Sequence, residues 1–330
     1  MKILYGIQGT GNGHISRSKE IIRELQQKSE VDVLISGSLY EMDLGFEVKY
    51  RKKGTGGWFD NNGGVDYWGL YRNTNFSGMI KDIIYAPVKE YDLIVSDFEP
   101  ITAWSSKCYG IPSIHVSHEI ALADNGIPKP RAKSFVAEVI IKYFAPCKRW
   151  LGFHYQNYNE RIFTPIIRRE IRELNLSEGD HYIIHLSSYD PFKFLNSLNS
   201  LDVKFEIFSK YYTDKNPVTK YNVTIYPFEK ELFLERLSSC SGVICNSGFQ
   251  LTSETLFLGK KMLVIPMKGQ YEQLCNAVAL KELGAEVLYS IDGDFGERLN
   301  SWIKSATQIE KMDYPDVLQD VVNTILDFNN

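Results

Sequence analysis

The sequence predicts an α/β protein of two doubly wound domains facing across a cleft, and three observations predict it. The chain has 330 residues, beyond the roughly 100–200 residues of one domain. Short apolar runs rich in β-branched residues alternate with longer helical patterns in both halves, as parallel strands covered by helices on both faces do. The alternation pauses once, in the polar stretch over residues 155–180, so the boundary is expected near residue 160. This gives domains 1–160 and 161–330, with the last helix packing back on the first.

In order, the strands expected in the first half are Ile3 to Ile7, Val31 to Ile35, Leu93 to Val95 and Ser113 to Val116. Those of the second are His181 to Leu186, Phe205 to Phe208, Val243 to Cys245 and Met262 to Ile265. Residues 52–69 are too glycine-rich for a helix or regular strand and read as a loop. Residues 131–150 read as one strongly apolar helix flanked by cations.

Composition narrows the function. Hydrophobic residues at 44% and charged residues at 24% are globular values. A net charge of -4 gives no general affinity for the phosphates of nucleic acid, which is not an expected partner. The 5 cysteines are odd in number and form no CxxC pair, which fits reduced thiols and a cytoplasmic location. The opening residues run from a short apolar strand straight into glycines, unlike a signal peptide. No apolar run reaches the ~18 residues of a membrane span.

Ligands of doubly wound sheets lie at the carboxyl ends of strands. There the first strand opens into Gly9-Thr10-Gly11-Asn12-Gly13-His14. Glycines let the backbone approach a ligand, and Gly11 and Gly13 lead into a helix whose amides favour an anion. A dinucleotide fingerprint does not fit: its third glycine falls at His14, and the second strand ends without an acid for a ribose. At such a position His14 suits a general base, the alternative being a helix cap. His118, at the end of another strand, can reach the cleft, whereas His154, His181 and His185 read as structural. Asp97 and Glu99 follow the third expected strand, with Pro100 opening a helix. Asp97 suits either a cap or a catalytic role, and Glu99 is the better base. Neither has convincing metal-ligand spacing, so no metal is expected.

The most informative stretch is residues 240–266. A strand ends at Asn246, Ser247-Gly248 turn the corner, and amides there with the hydroxyls of Ser247 and Thr252 can meet a diphosphate. Glu254, further along the same helix, can accept both hydroxyls of a ribose.

The order Ser247-Gly248-x-x-x-Thr252-x-Glu254, a strand ending in Pro266, then Gln270-Tyr271-Glu272-Gln273-x-x-Asn276-Ala277 and Leu283-Gly284-Ala285, resembles the C-terminal half of glycosyltransferase family 28. The GxGxGHxxRS opening at Gly9 to Ser18 is similar to that of relatives of the peptidoglycan GlcNAc transferase. The resemblance implies a GT-B fold of two Rossmann-like domains, a nucleoside diphosphate sugar, most often a UDP-sugar, as co-substrate, and no further cofactor. By it Glu254 binds the ribose, Ser247 and Gly248 the diphosphate, Glu272 and Gln273 the hydroxyls of the donor sugar, Phe228 borders the base, and Phe249, Thr252, Gln270 and Asn276 lie with them on the donor side. Two positions depart from the family: Leu186-Ser187-Ser188-Tyr189 replaces a Gly-Gly-Ser turn, and Glu272 stands for a glutamine, which leaves the sugar open.

On the acceptor side, Trp58, Phe59, Tyr67 and Trp68 of the glycine-rich insertion can stack on a sugar or pack the loop onto its own domain. The helix in 131–150 either packs inside the protein or rests on an anionic membrane, at its inner face, to receive a lipid-linked acceptor. The expected reaction is an inverting, metal-independent transfer of a sugar to a hydroxyl of a glycan or lipid-linked acceptor. A UDP-sugar 2-epimerase and a non-catalytic nucleotide-sugar-binding protein are the alternatives.

Overall fold

The computed structural model describes residues 1–37, 45–54, 72, 75–132, 134–187, 189–306 and 309–329. The chain divides into two compact units: Met1–Trp58 and Asp66–Arg168 with Pro315–Asn330 in the first, and Arg169–Tyr314 in the second.

The first unit holds strands β1 (Lys2–Gln8), β2 (Glu30–Ser36), β3 (Tyr50–Lys52), β4 (Leu93–Asp97), β5 (Ser113–Ser117), β6 (Arg149–Phe153) and β7 (Ile162–Phe163). Helices α1 (Asn12–Gln26), α2 (Phe76–Tyr85), α3 (Pro100–Tyr109), α4 (His118–Ala121) and α5 (Phe135–Tyr143) connect them. All seven strands are parallel, in the order β3-β2-β1-β4-β5-β6-β7. β1 is buried along its length after Lys2, without polar alternation, because helices cover both sheet faces. A side chain at Gly6 would run into Thr102 and Glu99, so its absence lets the start of α3 lie against β1. Leu4, Leu34, Val88, Ile94 and Ile101 fill the core there.

The strand order reverses between β1 and β4, the topological switch point. Right-handed crossovers carry the chain one way through α1 and the other way through α3, leaving the carboxyl ends of β1 and β4 uncovered. Ile7 of β1 pairs with Asp97 of β4, so the glycine loop after Gln8 and the acid at the end of β4 meet at that point.

Two expectations are corrected here. Residues 131–150 are not one helix: α5 ends at Tyr143 and Arg149–Phe153 is a strand, because Pro146 has no N–H to continue the ladder. Nor is α5 a packing element, since Ile141 is its one buried residue. Residues 161–168 belong to the first unit, where Ile162 and Phe163 pair with Gly152 and Phe153; a strand of two residues has too little pattern to be read from sequence.

The second unit runs α6 (Arg169–Arg172), β8 (His181–His185), α7 (Leu195–Asn199), β9 (Lys204–Phe208), β10 (Val218–Lys220), β11 (Val223–Tyr226), α8 (Lys230–Ser239), β12 (Gly242–Cys245), α9 (Phe249–Leu258), β13 (Lys261–Val264), α10 (Tyr271–Glu282), β14 (Glu286–Val287) and α11 (Phe295–Lys304). Its sheet has the order β10-β11-β9-β8-β12-β13-β14, parallel except for the β10–β11 hairpin. Ile184, Leu198, Phe205, Ile244, Leu263 and Phe295 form its core. The switch point lies between β8 and β12. The last helix, α12 (Leu318–Leu326), belongs to the first unit, where Val321, Val322 and Ile325 are buried and Lys28 Nζ on the α1 side donates to Gln319 Oε1 at 3.1 Å. Among the described residues no helix is long and apolar enough to cross a membrane.

Candidate active site

At the first switch point the sequence folds a charged cluster into a nearly closed space. The glycine loop lets α1 start at Asn12 with Gly11 as an extended cap and no side-chain capping bond, so His14, Arg17 and Ser18 all come from the first two turns. His14 and Arg17 are three apart and share a helix face. Asp97, fully buried at the end of β4, accepts from His14 Nδ1 at 2.7 Å, Arg17 Nη2 at 2.5 Å, Arg17 Nε at 3.2 Å and Ser18 Oγ at 2.9 Å. A carboxylate can only accept, so Nδ1 carries the ring proton and Nε2 is left for chemistry. Nε2 stands 3.3 Å from Oε1 of Glu119. His14 keeps 12% side-chain exposure, which leaves it open to a substrate.

The charges set the protonation states. Burial alone would push Asp97 up, but Arg17 and His14 outweigh it and hold the carboxyl at about 2. Burial also opposes a charge on His14, yet Glu119 and Asp97 raise its pKa above the usual 6.5. Burial works against the Glu119 carboxylate as well, and the cations His14 and Arg17 bring its pKa down. His14, Asp97 and Glu119 each offer one ligand atom, all within 4.8 Å of one another, as a metal site would. Arg17 already sets a guanidinium on the same carboxylates, 2.5 Å from Asp97 and 3.9 Å from Glu119.

Of the two acids at the carboxyl end of β4, it is Asp97 that reaches His14. Glu99, expected to be the better base, is fully buried and caps α3: Oε1 accepts from Ile101 N, and Oε2 from Thr102 N and Thr102 Oγ1. Capping of this kind contributes about 1 kcal/mol and leaves no oxygen facing a substrate. Asp97, with capping as its other reading, caps nothing. His118, expected on the acceptor side, is buried among His154 and Tyr155 with Nδ1 bonded to the Phe153 carbonyl. Its neighbour Glu119 and the α1 residue Arg17 are the site members that sequence reasoning missed. The signal was present: Glu119 lies two residues past the end of β5, and Arg17 lies one helical turn beyond His14. Trp58 and Trp68 lie outside the described residues.

The second switch point has the other charge preference. β12 runs through Cys245 into Asn246-Ser247-Gly248, and α9 begins with Gly248 as its cap and no side-chain capping bond, so the helix dipole meets whatever lies there. Ser187, after β8, donates to Asn246 Oδ1 at 3.2 Å across the switch point. The predicted donor residues form one network: Ser247 Oγ donates to the Gln273 carbonyl at 2.8 Å, Asn276 Nδ2 to the Ser247 carbonyl at 3.0 Å and to Glu272 Oε1 at 3.3 Å, Gln270 Nε2 to Glu272 Oε2 at 3.3 Å, and Met267 N to Gln273 Oε1 at 3.0 Å. This ties the start of α9 to the start of α10.

Two hydroxyls expected on a diphosphate point inward instead. Ser247 Oγ is buried on Gln273, and Thr252 Oγ1, also buried, bonds the Gly248 and Phe249 carbonyls, as threonines inside helices commonly do. Phe249 is buried against the same turn. Glu254 is fully buried in α9 and accepts from Gln250 Nε2 at 2.7 Å, one turn earlier. Phe228 is 39% exposed, its ring 5.4 Å from that of His185 and 5.6 Å from that of Phe233. His185 and His181 bond backbone carbonyls, of Phe208 and Arg236.

Comparison with known proteins bears on the fold and the family. The sequence search found no matching curated protein. Among solved structures, MurG of Acinetobacter baumannii is 16% identical, with 99% of each chain covered and a TM-score of 0.60. The glycotransferase of kitacinnamycin is 15% identical over 100% of this chain and 96% of that one, with a TM-score of 0.61. Arabidopsis thaliana UGT89C1, solved with UDP, is 13% identical over 98% and 94%, at 0.55. These likenesses show the two-domain GT-B fold that the motifs imply. The family model described as Glycosyl transferase family 1 matches residues 1–304, where the motifs resemble family 28, and the chain therefore belongs to glycosyl transferase family 1 and is a glycosyltransferase.

Proposed function

We propose that the protein is an inverting, metal-independent transferase that moves a sugar from a nucleoside diphosphate sugar, a UDP-sugar by preference, to an acceptor hydroxyl. The observation that carries this reading is His14 held by Asp97 where β1 and β4 end. Nε2 takes the proton of the acceptor hydroxyl, the oxygen attacks the anomeric carbon, and the bond to the diphosphate breaks with inversion. The imidazolium so formed is stabilised by Asp97 and Glu119, as a base oriented by a carboxylate requires. In the second unit, the uncapped start of α9 can bind a diphosphate by its amides and dipole, the role a divalent metal has in other transferases. The guanidinium of Arg17 on Asp97 and Glu119 supports the same assignment, because it competes with any cation for those oxygens. No further cofactor enters the reaction.

On the donor side Glu254 accepts the ribose hydroxyls, the Gln250 amide giving way to them, while the half-buried Gln270 and Glu272 contact the sugar and Phe228 the base. UGT89C1 holds UDP in its structure. The test is a thermal-shift titration with UDP. At a hundredfold excess over Kd, binding stabilises by about 2.7 kcal/mol, and Glu254→Ala is expected to remove the shift. Indifference of the wild type to every nucleoside diphosphate refutes the donor site.

For the acceptor, α5 supports a lipid-linked molecule at the cytoplasmic face of a membrane. Phe135, Val136, Val139, Ile140 and Tyr143 are 78%, 67%, 38%, 43% and 52% exposed, and Lys142 is exposed beside them. Apolar side chains with adjoining cations are what an anionic bilayer binds. Vesicles containing anionic lipid should therefore sediment with the protein, and Val136→Asp with Ile140→Asp should weaken this by about tenfold or more; equal binding of both proteins refutes the contact.

A further inference from the structure

Phe98 and Tyr221 are the non-glycine residues with positive φ among those described, at 52° and 56°. Tyr221 turns the β10–β11 hairpin and is 85% exposed, an ordinary place for such a backbone. Phe98 is different. It stands at the first switch point, between the fully buried Asp97 and Glu99, and a bulky residue in the left-handed region is a strained one. Its ring lies parallel to the His14 imidazole, with centroids 6.3 Å apart and planes 7° from each other. Phe144 at 5.0 Å and His115 at 5.8 Å back the ring, and Phe98 remains half-buried.

The backbone turn by itself does not call for this ring. At φ 52° glycine is unstrained and would let Asp97 face His14 and Glu99 cap α3 equally well. Phenylalanine adds the strain together with a flat apolar surface beside the base. We propose that Phe98 is a positioning residue: its ring holds the His14 imidazole in one orientation and gives the acceptor an apolar face to stack on, which selects acceptors whose reacting hydroxyl is borne on or next to a ring, such as a sugar. Sugars and aromatic rings meet through such faces. The assignment rests on His14 as the base.

The test compares Phe98→Gly, Phe98→Leu and Phe98→Tyr with the wild type and with His14→Ala. Two signals are followed: the carbon-bound ring protons of His14 by NMR, and UDP release from a UDP-sugar with phenyl glucoside as acceptor. Phe98→Gly should remain folded, since relief of the left-handed backbone offsets part of the ring packing that is lost. It should shift and broaden the His14 signal and lower acceptor-dependent release by about tenfold or more, as loss of orientation does. Tyrosine should restore both signals and leucine should not. A Phe98→Gly protein with the wild-type His14 signal overturns the proposal. If that variant also keeps full release while His14→Ala has lost it, the base assignment survives and the role of Phe98 alone falls. Release unchanged in His14→Ala instead refutes the base assignment on which the proposal stands.

Discussion

His14→Ala is expected to lower kcat/KM by about 10²–10⁴, the usual contribution of a positioned base, with the fold intact. Asp97 keeps Arg17 at 2.5 and 3.2 Å and Ser18 at 2.9 Å when the imidazole is gone, and Glu119 loses its cation at 3.3 Å but keeps Arg17 at 3.9 Å, so some stability is lost while the cluster stays paired. Glu99→Gln, by contrast, should leave turnover unchanged, since that carboxylate serves the first turn of α3. The pH profile carries the same assignment. A base works as the neutral imidazole, and the two carboxylates raise the pKa of His14 above 6.5. The acid limb of kcat/KM should thus lie above that value, and Glu119→Gln, which removes the largest raising influence, should move it down. A limb that does not respond to Glu119→Gln shows that another group is titrating. The stability linkage has the opposite sense: with a raised folded pKa, the contribution of charged His14 is complete below 6.5 and is lost as pH rises through the folded value.

The largest loss of stability is expected from Asp97→Ala. It leaves Arg17, 4% exposed, without its closest counter-charge and with Glu119 at 3.9 Å. Breaking a buried pair in this way costs about 3–5 kcal/mol, a large part of the roughly 5–15 kcal/mol that holds a protein folded. Chemical denaturation at pH 7 reads it directly, and a loss below about 1 kcal/mol would show that solvent reaches Arg17 and screens it. Asp97→Asn keeps an oxygen for the guanidinium and should lose less. The acid limb gives an independent reading. Because the folded pKa is depressed to about 2 from 3.8, the contribution of Asp97 is present above 3.8 and is lost as pH falls through about 2. The alanine variant should lack that part of the wild-type acid denaturation.

How much was legible beforehand depended on the kind of residue. His14 was legible as a residue of the first strand end, where the structure sets it on Asp97 rather than in a cap, whereas the ribose contact of Glu254 belongs to the proposed function. Asp97 and Glu99 are two residues apart and chemically alike; the sequence favoured Glu99 as the base, and the structure puts Asp97 on His14 and Glu99 on the start of α3 instead. The choice is made by Phe98: the left-handed turn there sends one acid toward α1 and the other into the start of α3. Glu119 was hidden behind His118 for a related reason. Adjacent residues after a strand face different ways, and β5 with α4 turns Glu119 to His14 and His118 into the interior. The hydroxyls of Ser247 and Thr252 were assigned to phosphate by type, yet a hydroxyl bonds the nearest acceptor, and in a helix start that is a carbonyl of its own backbone or of the neighbouring helix.

The sequence by itself determined the two α/β units, the glycine loop and the two helix starts that follow strand ends, because strand and helix periodicity and glycine conformational freedom are local properties that the chain carries without its partners, and its motifs carried the glycosyltransferase resemblance. Only the tertiary structure decided which acid holds His14, that Arg17 and Glu119 complete the cluster, that residues 161–168 and Pro315–Asn330 join the first unit, and that α5 presents its apolar residues outward. Those outcomes turn on which residues far apart in the chain come within a few ångströms and which are removed from water. Burial and long-range charge, unlike periodicity, are set by the whole fold.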